Sequence, residues 1–291
     1  MIPVLDGYQL VNPGSLRDAL ADLAEHPQAR AFAGGTDLMV VLEAGHLPPG
    51  RYVNLAKCAE LHGIDRTPDG GLSIGALTTY TEIRNSDAID QGWSMLKRAA
   101  AETGGVATQN RGTIGGNIAN ASPAADTPPA LIVYDASLEL ISARGARRVH
   151  YDQFHQGYKK MDLQPGELIA RVHMPPRPIV RQKPDAVSWR DYYRKVGTRR
   201  AQAISKVCFA GSLEMDAGVV KEVRIALGSV APTVIRARRT EEALRGRRLD
   251  AAAIDNARRA LLSEIAPIDD IRSTARYRAR VAVNLLREFL H

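Results

Sequence analysis

The chain has 291 residues, of which 45% are hydrophobic and 24% charged, so its length permits two domains and its composition excludes a mainly disordered protein. The net charge of +7 could favour a polyanion, an acidic partner or a phosphate-bearing ligand, and charge alone does not choose among them. The cysteines, Cys58 and Cys208, are too few to hold an iron–sulfur cluster by themselves.

The first residues lack the basic start and the apolar run of a signal peptide. No apolar stretch approaches the ~18 residues that a membrane-spanning helix needs. We therefore expect a cytoplasmic protein without a membrane span.

The first 57 residues predict a small βαβ-like unit. Ser15 followed by Asp18 resembles a helix start, and apolar residues recur at helical spacing until His26 and Pro27. A strand at 30–33, a helix at 37–44 and a second strand at 51–55 follow.

The next segment completes an α+β unit near residue 175. Helices are predicted at 81–85, 93–102 and 128–134, and strands at 71–76, 137–143, 147–151 and 167–174. The proline cluster Pro175-Pro176-Arg177-Pro178 then predicts a domain border. Beyond it we expect a β-hairpin of strands 204–214 and 219–229, followed by helices at about 239–245, 250–262 and 274–290.

Two glycine-bearing segments carry the strongest functional signal. Paired glycines let peptide N–H groups approach a phosphate, and a helix beginning at Asp37 would point its positive end at that phosphate. Either segment alone is equally well explained as a tight turn, but the two together predict a cleft for a dinucleotide. The residues concerned are Ala31, Phe32, Ala33, Gly34, Gly35, Thr36, Asp37 and Leu38 in the first segment, and Thr113, Ile114, Gly115, Gly116 and Asn117 in the second.

Neither segment fits the other common phosphate-binding motifs. The chain contains no GxxxxGK[ST], and GGTD after the first strand is not GxGxxG. Asp126 follows the second segment and precedes Thr-Pro-Pro. It could accept a hydrogen bond from a ribose, ribityl or amide group of a ligand, or it could cap a helix. Spacing alone leaves both uses open.

Four motifs in this order resemble the FAD-binding medium subunit of the molybdenum hydroxylase family, which includes xanthine dehydrogenases, aldehyde oxidoreductases and aerobic carbon monoxide dehydrogenases. They are AGGTD at 33–37, TIGGNIANASPAAD at 113–126, PGELI at 165–169 and YRKVGTRRAQAISKV at 193–207. The resemblance implies an α+β chain with a two-lobed FAD-binding domain of the vanillyl-alcohol-oxidase (PCMH) type at 1–176, its lobes at about 1–57 and 58–176. A small C-terminal domain of antiparallel sheet and helices would occupy 177–291.

The resemblance also implies roles for particular residues. The two glycine segments would hold the FAD pyrophosphate from opposite sides, Asp126 would be a polar contact, Ile169 would lie near the flavin, and Lys195 would place a charge near the isoalloxazine. A surface lysine is the alternative for Lys195. Thr103 stands where relatives have an aromatic flavin contact. Tyr192 and Tyr193 could cover a flavin face, but core packing is the more common use of such residues.

The implied activity is electron relay. A large molybdenum-cofactor subunit would oxidise the substrate, 2Fe-2S clusters in a small subunit would pass electrons on, and FAD in this chain would deliver them to NAD, a quinone or oxygen. Neither glycine segment contains His or Cys, so we expect non-covalent FAD. The family also implies a dimer of heterotrimers and a chain inactive toward substrate alone.

Two other functions compete with electron relay. One is a self-contained flavin oxidase of the vanillyl-alcohol-oxidase superfamily, which would need a larger substrate domain. The other is a nucleic-acid-binding or scaffold protein, suggested by six arginines between Arg236 and Arg248. Glutamates interrupt that run and no aromatic residues alternate with it, so we favour a solvated or subunit-docking face and expect no nucleic-acid partner.

Overall fold

The computed structural model describes residues 6–177, 188–199 and 202–291. Pro178 of the proline cluster and residues 200–201 of the fourth motif therefore lie outside the described residues. The described part combines sheets and helices throughout, and the predicted α+β class is confirmed.

The first lobe is a three-stranded parallel sheet in which β3 (Gly50–Asn54) lies between β1 (Tyr8–Val11) and β2 (Arg30–Phe32). Ser15 caps α1 as predicted, because its Oγ accepts the Asp18 N–H at 3.2 Å. The apolar face of α1 packs on Val53 and Leu55. In chain order the elements are β1 (Tyr8–Val11), α1 (Leu16–Glu25), β2 (Arg30–Phe32), α2 (Leu38–Glu43) and β3 (Gly50–Asn54).

The second lobe contains a five-stranded antiparallel sheet in the order β4-β5-β10-β6-β7, covered by helices. Its core is built around fully buried side chains such as Trp93, Tyr134 and Phe154. The elements are β4 (Ile64–Arg66), β5 (Leu72–Gly75), α3 (Tyr80–Asn85), α4 (Asp87–Asp90), α5 (Ser94–Glu102), α6 (Val106–Gln109), α7 (Ile114–Ala119), α8 (Pro128–Val133), β6 (Ser137–Ser142), β7 (Gly145–His150), α9 (Tyr151–Phe154), β8 (His155–Gly157), β9 (Lys160–Met161) and β10 (Leu168–Met174).

The last part is a four-stranded antiparallel sheet, β11-β12-β13-β14, with three helices packed on it. The predicted hairpin is confirmed, with its turn at Ala217 (φ 48°) and Gly218 (φ 77°). The elements are β11 (Ser188–Val196), β12 (Val207–Asp216), β13 (Val219–Gly228), β14 (Ile235–Arg236), α10 (Arg238–Leu244), α11 (Ala251–Glu264) and α12 (Ala275–Leu290).

A buried polar network joins this last sheet to the second lobe. The Tyr134 hydroxyl accepts the Met95 N–H at 3.0 Å and donates to Asp191 Oδ2 at 2.9 Å. Arg177 donates to both oxygens of Asp191 and to Ser212 Oγ. The network therefore fixes β11 and β12 against α5 and α8.

We expect Tyr134→Phe to destabilise the chain by about 1–3 kcal/mol, because it leaves the buried Met95 N–H without an acceptor. Urea denaturation of the variant measures this difference. Tyr158→Phe is the matched control, since the Tyr158 side chain is 69% exposed and should change stability by no more than about 0.5 kcal/mol. Equal unfolding midpoints for the two variants would contradict the network.

Candidate functional site

The first glycine segment lies against Arg111 and Gly112, the residues directly before the second segment. A Cβ on Gly34 would overlap the backbone carbonyl of Arg111, so only glycine permits this approach. The Arg111 side chain also contacts the first segment, because its Nε donates to the Gly34 backbone oxygen at 3.3 Å. The first lobe and the second lobe thus meet at Gly34 and Arg111.

The first segment presents backbone donors that the described protein does not use. It turns at Gly35, whose φ of +74° favours glycine, and continues into α2. Carbonyls of this turn accept bonds from α2, with Met39 N donating to Gly35 O at 2.9 Å. In contrast, the N–H groups of residues 34–37 donate to no acceptor among the described residues. Adjacent unpaired N–H groups in a turn form a site suited to an anion such as phosphate.

The second segment differs from the prediction, because it is helical rather than a loop. Thr113 caps α7 by accepting the Gly116 N–H at 3.1 Å. The N–H groups of Ile114 and Gly115 donate to Thr78 O and Ala76 O, and that of Asn117 to Thr113 O. These N–H groups are already engaged within the protein. Of its five residues only Gly116 and Asn117 are partly exposed, so only these two are open to a ligand.

Gly115 has a packing role that explains one of the two glycines. A Cβ at this position would lie 2.6 Å from the Ala76 Cβ, so glycine lets α7 pack directly on the end of β5. Gly116 is less enclosed, since its Cβ would closely approach only the Thr113 hydroxyl at 2.9 Å.

Asp126 lies between α7 and α8, and it does not cap a helix. The N-cap of α8 is Thr127, and no side chain caps that helix end. Asp126 Oδ2 instead accepts from Lys195 Nζ at 2.8 Å, and its backbone oxygen accepts from the Tyr193 hydroxyl at 3.0 Å. Oδ1 is buried without a partner in the described structure. Burial raises the pKa of Asp126 to about 6, although the Lys195 ammonium opposes this rise.

Lys195 is not a surface lysine. Its side chain is 7% exposed, and Nζ also donates to the Glu102 backbone oxygen at the end of α5, at 2.8 Å. Its charge is therefore compensated by Asp126 when that carboxylate is ionised. Burial also raises the pKa of the nearby Glu102 carboxyl.

Four other predicted residues are buried or partly buried. Ile169 lies in β10 and is 7% exposed. The Thr103 hydroxyl donates to Ala99 O at the end of α5. Tyr192 packs on the rings of Phe209 and Phe289, and Tyr193 is buried beside Asp126, so the interpretation of both tyrosines as core residues agrees with the structure.

Sequence reasoning missed Tyr80 and the positioning role of Tyr193. The Tyr80 hydroxyl, like Asp126 Oδ1, is buried without a hydrogen-bond partner among the described residues. Tyr193 and Lys195 are two residues apart in β11 and share one face of the strand, so alternation could have linked them. Their common contact with Asp126 had no local signal, because it joins residues more than 60 positions apart.

The site offers both donors and acceptors to a ligand. The unpaired N–H groups of residues 34–37 suit phosphate oxygens, and Asp126 Oδ1 suits a hydroxyl or N–H donor. A dinucleotide carries phosphates together with sugar hydroxyls and ring N–H groups. The residues present therefore fit such a cofactor.

Other candidate sites contribute less. In the arginine run, Arg236 pairs with Asp135 and Glu241, and Arg238 and Arg245 pair with Asp152 and Glu222. Both cysteines are free and buried. Across residues 6–177, 188–199 and 202–291 we find no group of three or more metal-ligating side chains. Within those same ranges no helix is long and apolar enough to cross a membrane.

Two family models match most of the chain. Residues 6–177 match the FAD binding domain in molybdopterin dehydrogenase, and residues 192–291 match the CO dehydrogenase flavoprotein C-terminal domain. The xanthine dehydrogenase FAD-binding subunit of Escherichia coli O157:H7 is 32% identical over 276 residues, covering 95% of this chain and 92% of that protein. The carbon monoxide dehydrogenase medium chain of Afipia carboxidovorans is 30% identical over 288 residues, or 99% and 96% of the two chains.

Solved structures give the same result. A chain of the cyanide-inactivated Cu,Mo-CO dehydrogenase superposes with a TM-score of 0.90 at 29% identity, covering 99% of this chain and 97% of that one. A chain of quinoline 2-oxidoreductase from Pseudomonas putida 86 superposes with a TM-score of 0.87 at 27% identity, covering 97% and 95%. The resemblance inferred from the four motifs is confirmed, and the chain belongs to the FAD-binding family of molybdopterin dehydrogenases.

Proposed function

We propose that this chain is the FAD-carrying electron-transfer subunit of a multi-subunit molybdenum hydroxylase. The observation that carries the proposal is the row of unpaired N–H groups at residues 34–37, in a chain of the FAD-binding family. FAD, when bound, supplies the ability to accept and pass on electrons. The residues of this chain bind, orient and shield it.

The proposed contacts combine the unpaired groups of the site with the positions that the family resemblance implies. The N–H groups of residues 34–37 hold the pyrophosphate, and Asp126 Oδ1 accepts a hydrogen bond from a donor group of the cofactor. The full proposed set consists of Ala31, Phe32, Ala33, Gly34, Gly35, Thr36, Asp37, Leu38, Thr113, Ile114, Gly115, Gly116, Asn117, Asp126, Ile169 and Lys195. In this proposal the 113–117 segment borders the cofactor from the other side, and it directly follows Arg111 and Gly112, which contact Gly34.

The partners are proposed from the same family membership. Relatives bear the names medium chain and FAD-binding subunit, which are names for parts of larger assemblies. We infer a large molybdenum-cofactor subunit, a small 2Fe-2S subunit and a dimer of such heterotrimers, with NAD, a quinone or oxygen as acceptor. A division into domains at 1–176 and 177–291 accords with the matched ranges 6–177 and 192–291.

The purified chain should bind FAD without a covalent link. Incubation with FAD, gel filtration and an absorption spectrum from 300 to 600 nm test the binding, and acid precipitation should release the yellow colour into the supernatant. Riboflavin is the matched control, because it lacks the phosphates that residues 34–37 would hold, and it should be lost on gel filtration.

Two outcomes would contradict the proposal. A chain that remains colourless after incubation with FAD would overturn cofactor binding. A FAD-loaded chain that alone oxidised an aldehyde, purine or alcohol at an ordinary enzymatic rate would favour the self-contained oxidase instead.

A further inference from the structure

Asp126 lies at a junction between four elements of the fold. Its ionised form pairs with Lys195, while Oδ1 has no partner and little access to solvent. The titratable side chains that face it come from α3, α5, β11 and β12, and they are Tyr80, Glu102, Tyr193, Lys195 and Cys208.

Most of these neighbours stay uncharged near neutral pH. Burial raises the pKa of Tyr80, of Tyr193 and of Cys208 well above neutrality. The charge balance at the junction therefore depends on Lys195 and on the two carboxyls, Asp126 and Glu102. With Asp126 ionised, the Asp126–Lys195 pair carries no net charge; with Asp126 protonated, it carries one positive charge.

We propose that Asp126 binds a proton at Oδ1 when the bound cofactor is reduced, so that this pair couples electron uptake to proton uptake. The inference rests on the proposed function. Two electrons enter from the partner's iron–sulfur clusters, or from dithionite in a test. One proton goes to the cofactor and the second to Asp126, so the site's net charge does not change.

The physical reason is electrostatic. In the proposed function the cofactor contacts Asp126, and a negative charge gained there on reduction favours the protonated form of this buried carboxyl. Burial has already raised the pKa of Asp126 to about 6, so any further rise moves its titration towards neutral pH. Oδ1 has two lone pairs, so it can receive this proton on one and keep the proposed hydrogen bond from the cofactor on the other, while Oδ2 keeps its hydrogen bond from Lys195.

Proton uptake during reduction tests the proposal. The full-length chain loaded with FAD is reduced by dithionite under anaerobic conditions at several values between pH 5 and 8, and protons taken up per two electrons are measured in weak buffer. Wild type should take up as much as one proton more than the double variant Asp126→Asn/Lys195→Met. That variant removes the carboxyl but keeps the pair neutral, and proton uptake is expressed per FAD retained because both residues belong to the proposed cofactor site. Equal uptake would overturn the proposal.

Infrared difference spectra provide a second measurement, and its deciding result comes from the wild-type chain alone. Reduction of the wild-type chain should produce a carboxylic acid C=O band that shifts in deuterium oxide. The absence of this band would overturn the proposal. Asp126→Asn should lose it, and Glu102→Gln should keep it; the opposite pattern would assign the proton to Glu102.

The two proposals can fail separately. A wild-type chain that does not retain FAD contradicts the proposed function. A chain that retains FAD and lacks the extra proton contradicts only the coupling through Asp126.

Discussion

Replacing Gly35 with valine is expected to abolish FAD binding. Gly35 has a φ of +74°, which a β-branched residue adopts only under strain, and its Cβ would lie 2.7 Å from the Phe32 ring. Relief of this overlap moves the N–H groups of residues 34–37, which form the proposed pyrophosphate site. We expect at least about a hundredfold loss of affinity, equivalent to about 2.7 kcal/mol, in a FAD titration followed by flavin fluorescence.

Gly45→Val is the matched control for this variant. Gly45 has nearly the same φ, +73°, but an added Cβ has nothing within 4 Å. It lies just beyond the other end of α2, so it shares the strain without touching the glycine turn. We expect it to lose stability and keep FAD. Equal loss of FAD affinity in both variants would contradict the proposed pyrophosphate site. It would show that general strain in the first lobe, and not the N–H groups of residues 34–37, determines FAD binding.

The fold could be predicted wherever a local pattern was sufficient. The helix after Ser15 was predictable because the cap and the apolar spacing lie within one segment, and the C-terminal hairpin because Ala217 and Gly218 separate two apolar runs. Strands β1 and β4 were missed, since they have four and three residues and show no clear alternation. Such strands are defined by their partners β3 and β5, which a local pattern does not reveal.

The site, like the fold, was predictable only where a local sequence pattern determines the structure. The turn at Gly34 and Gly35 is local, and its position before a helix was predicted correctly. The helical state of residues 114–119 was not, because two adjacent glycines normally disfavour a helix and only packing on Ala76 explains Gly115. The choice between the two uses of Asp126 depended on Lys195, which is 69 residues away in the chain.

Arg278→Met is expected to cause the largest loss of stability among the changes considered. The Arg278 side chain is 4% exposed, and its guanidinium donates to Lys206 O and Ser229 O, both at 2.9 Å, and to Asp270 Oδ1 at 2.8 Å. Methionine fills similar space but leaves the two carbonyls and the carboxylate without this donor. We expect a destabilisation of about 3–5 kcal/mol, measured by urea denaturation at pH 7.

The pH dependence of this loss identifies its cause. Burial alone would raise the pKa of Asp270, but the N–H groups of Arg272 and Ser273 and the Arg278 guanidinium outweigh it and lower that pKa to about 2. Because this pKa is depressed on folding, its stabilising contribution is complete above about pH 4 and is lost as the pH falls through 2. Arg278→Met removes part of that depression, so the stability difference from wild type should narrow between pH 5 and 2. Arg276→Met, on the exposed side of the same helix, should change stability by no more than about 0.5 kcal/mol at any pH. A difference for Arg278→Met that stays constant with pH would assign its effect to the two carbonyls alone.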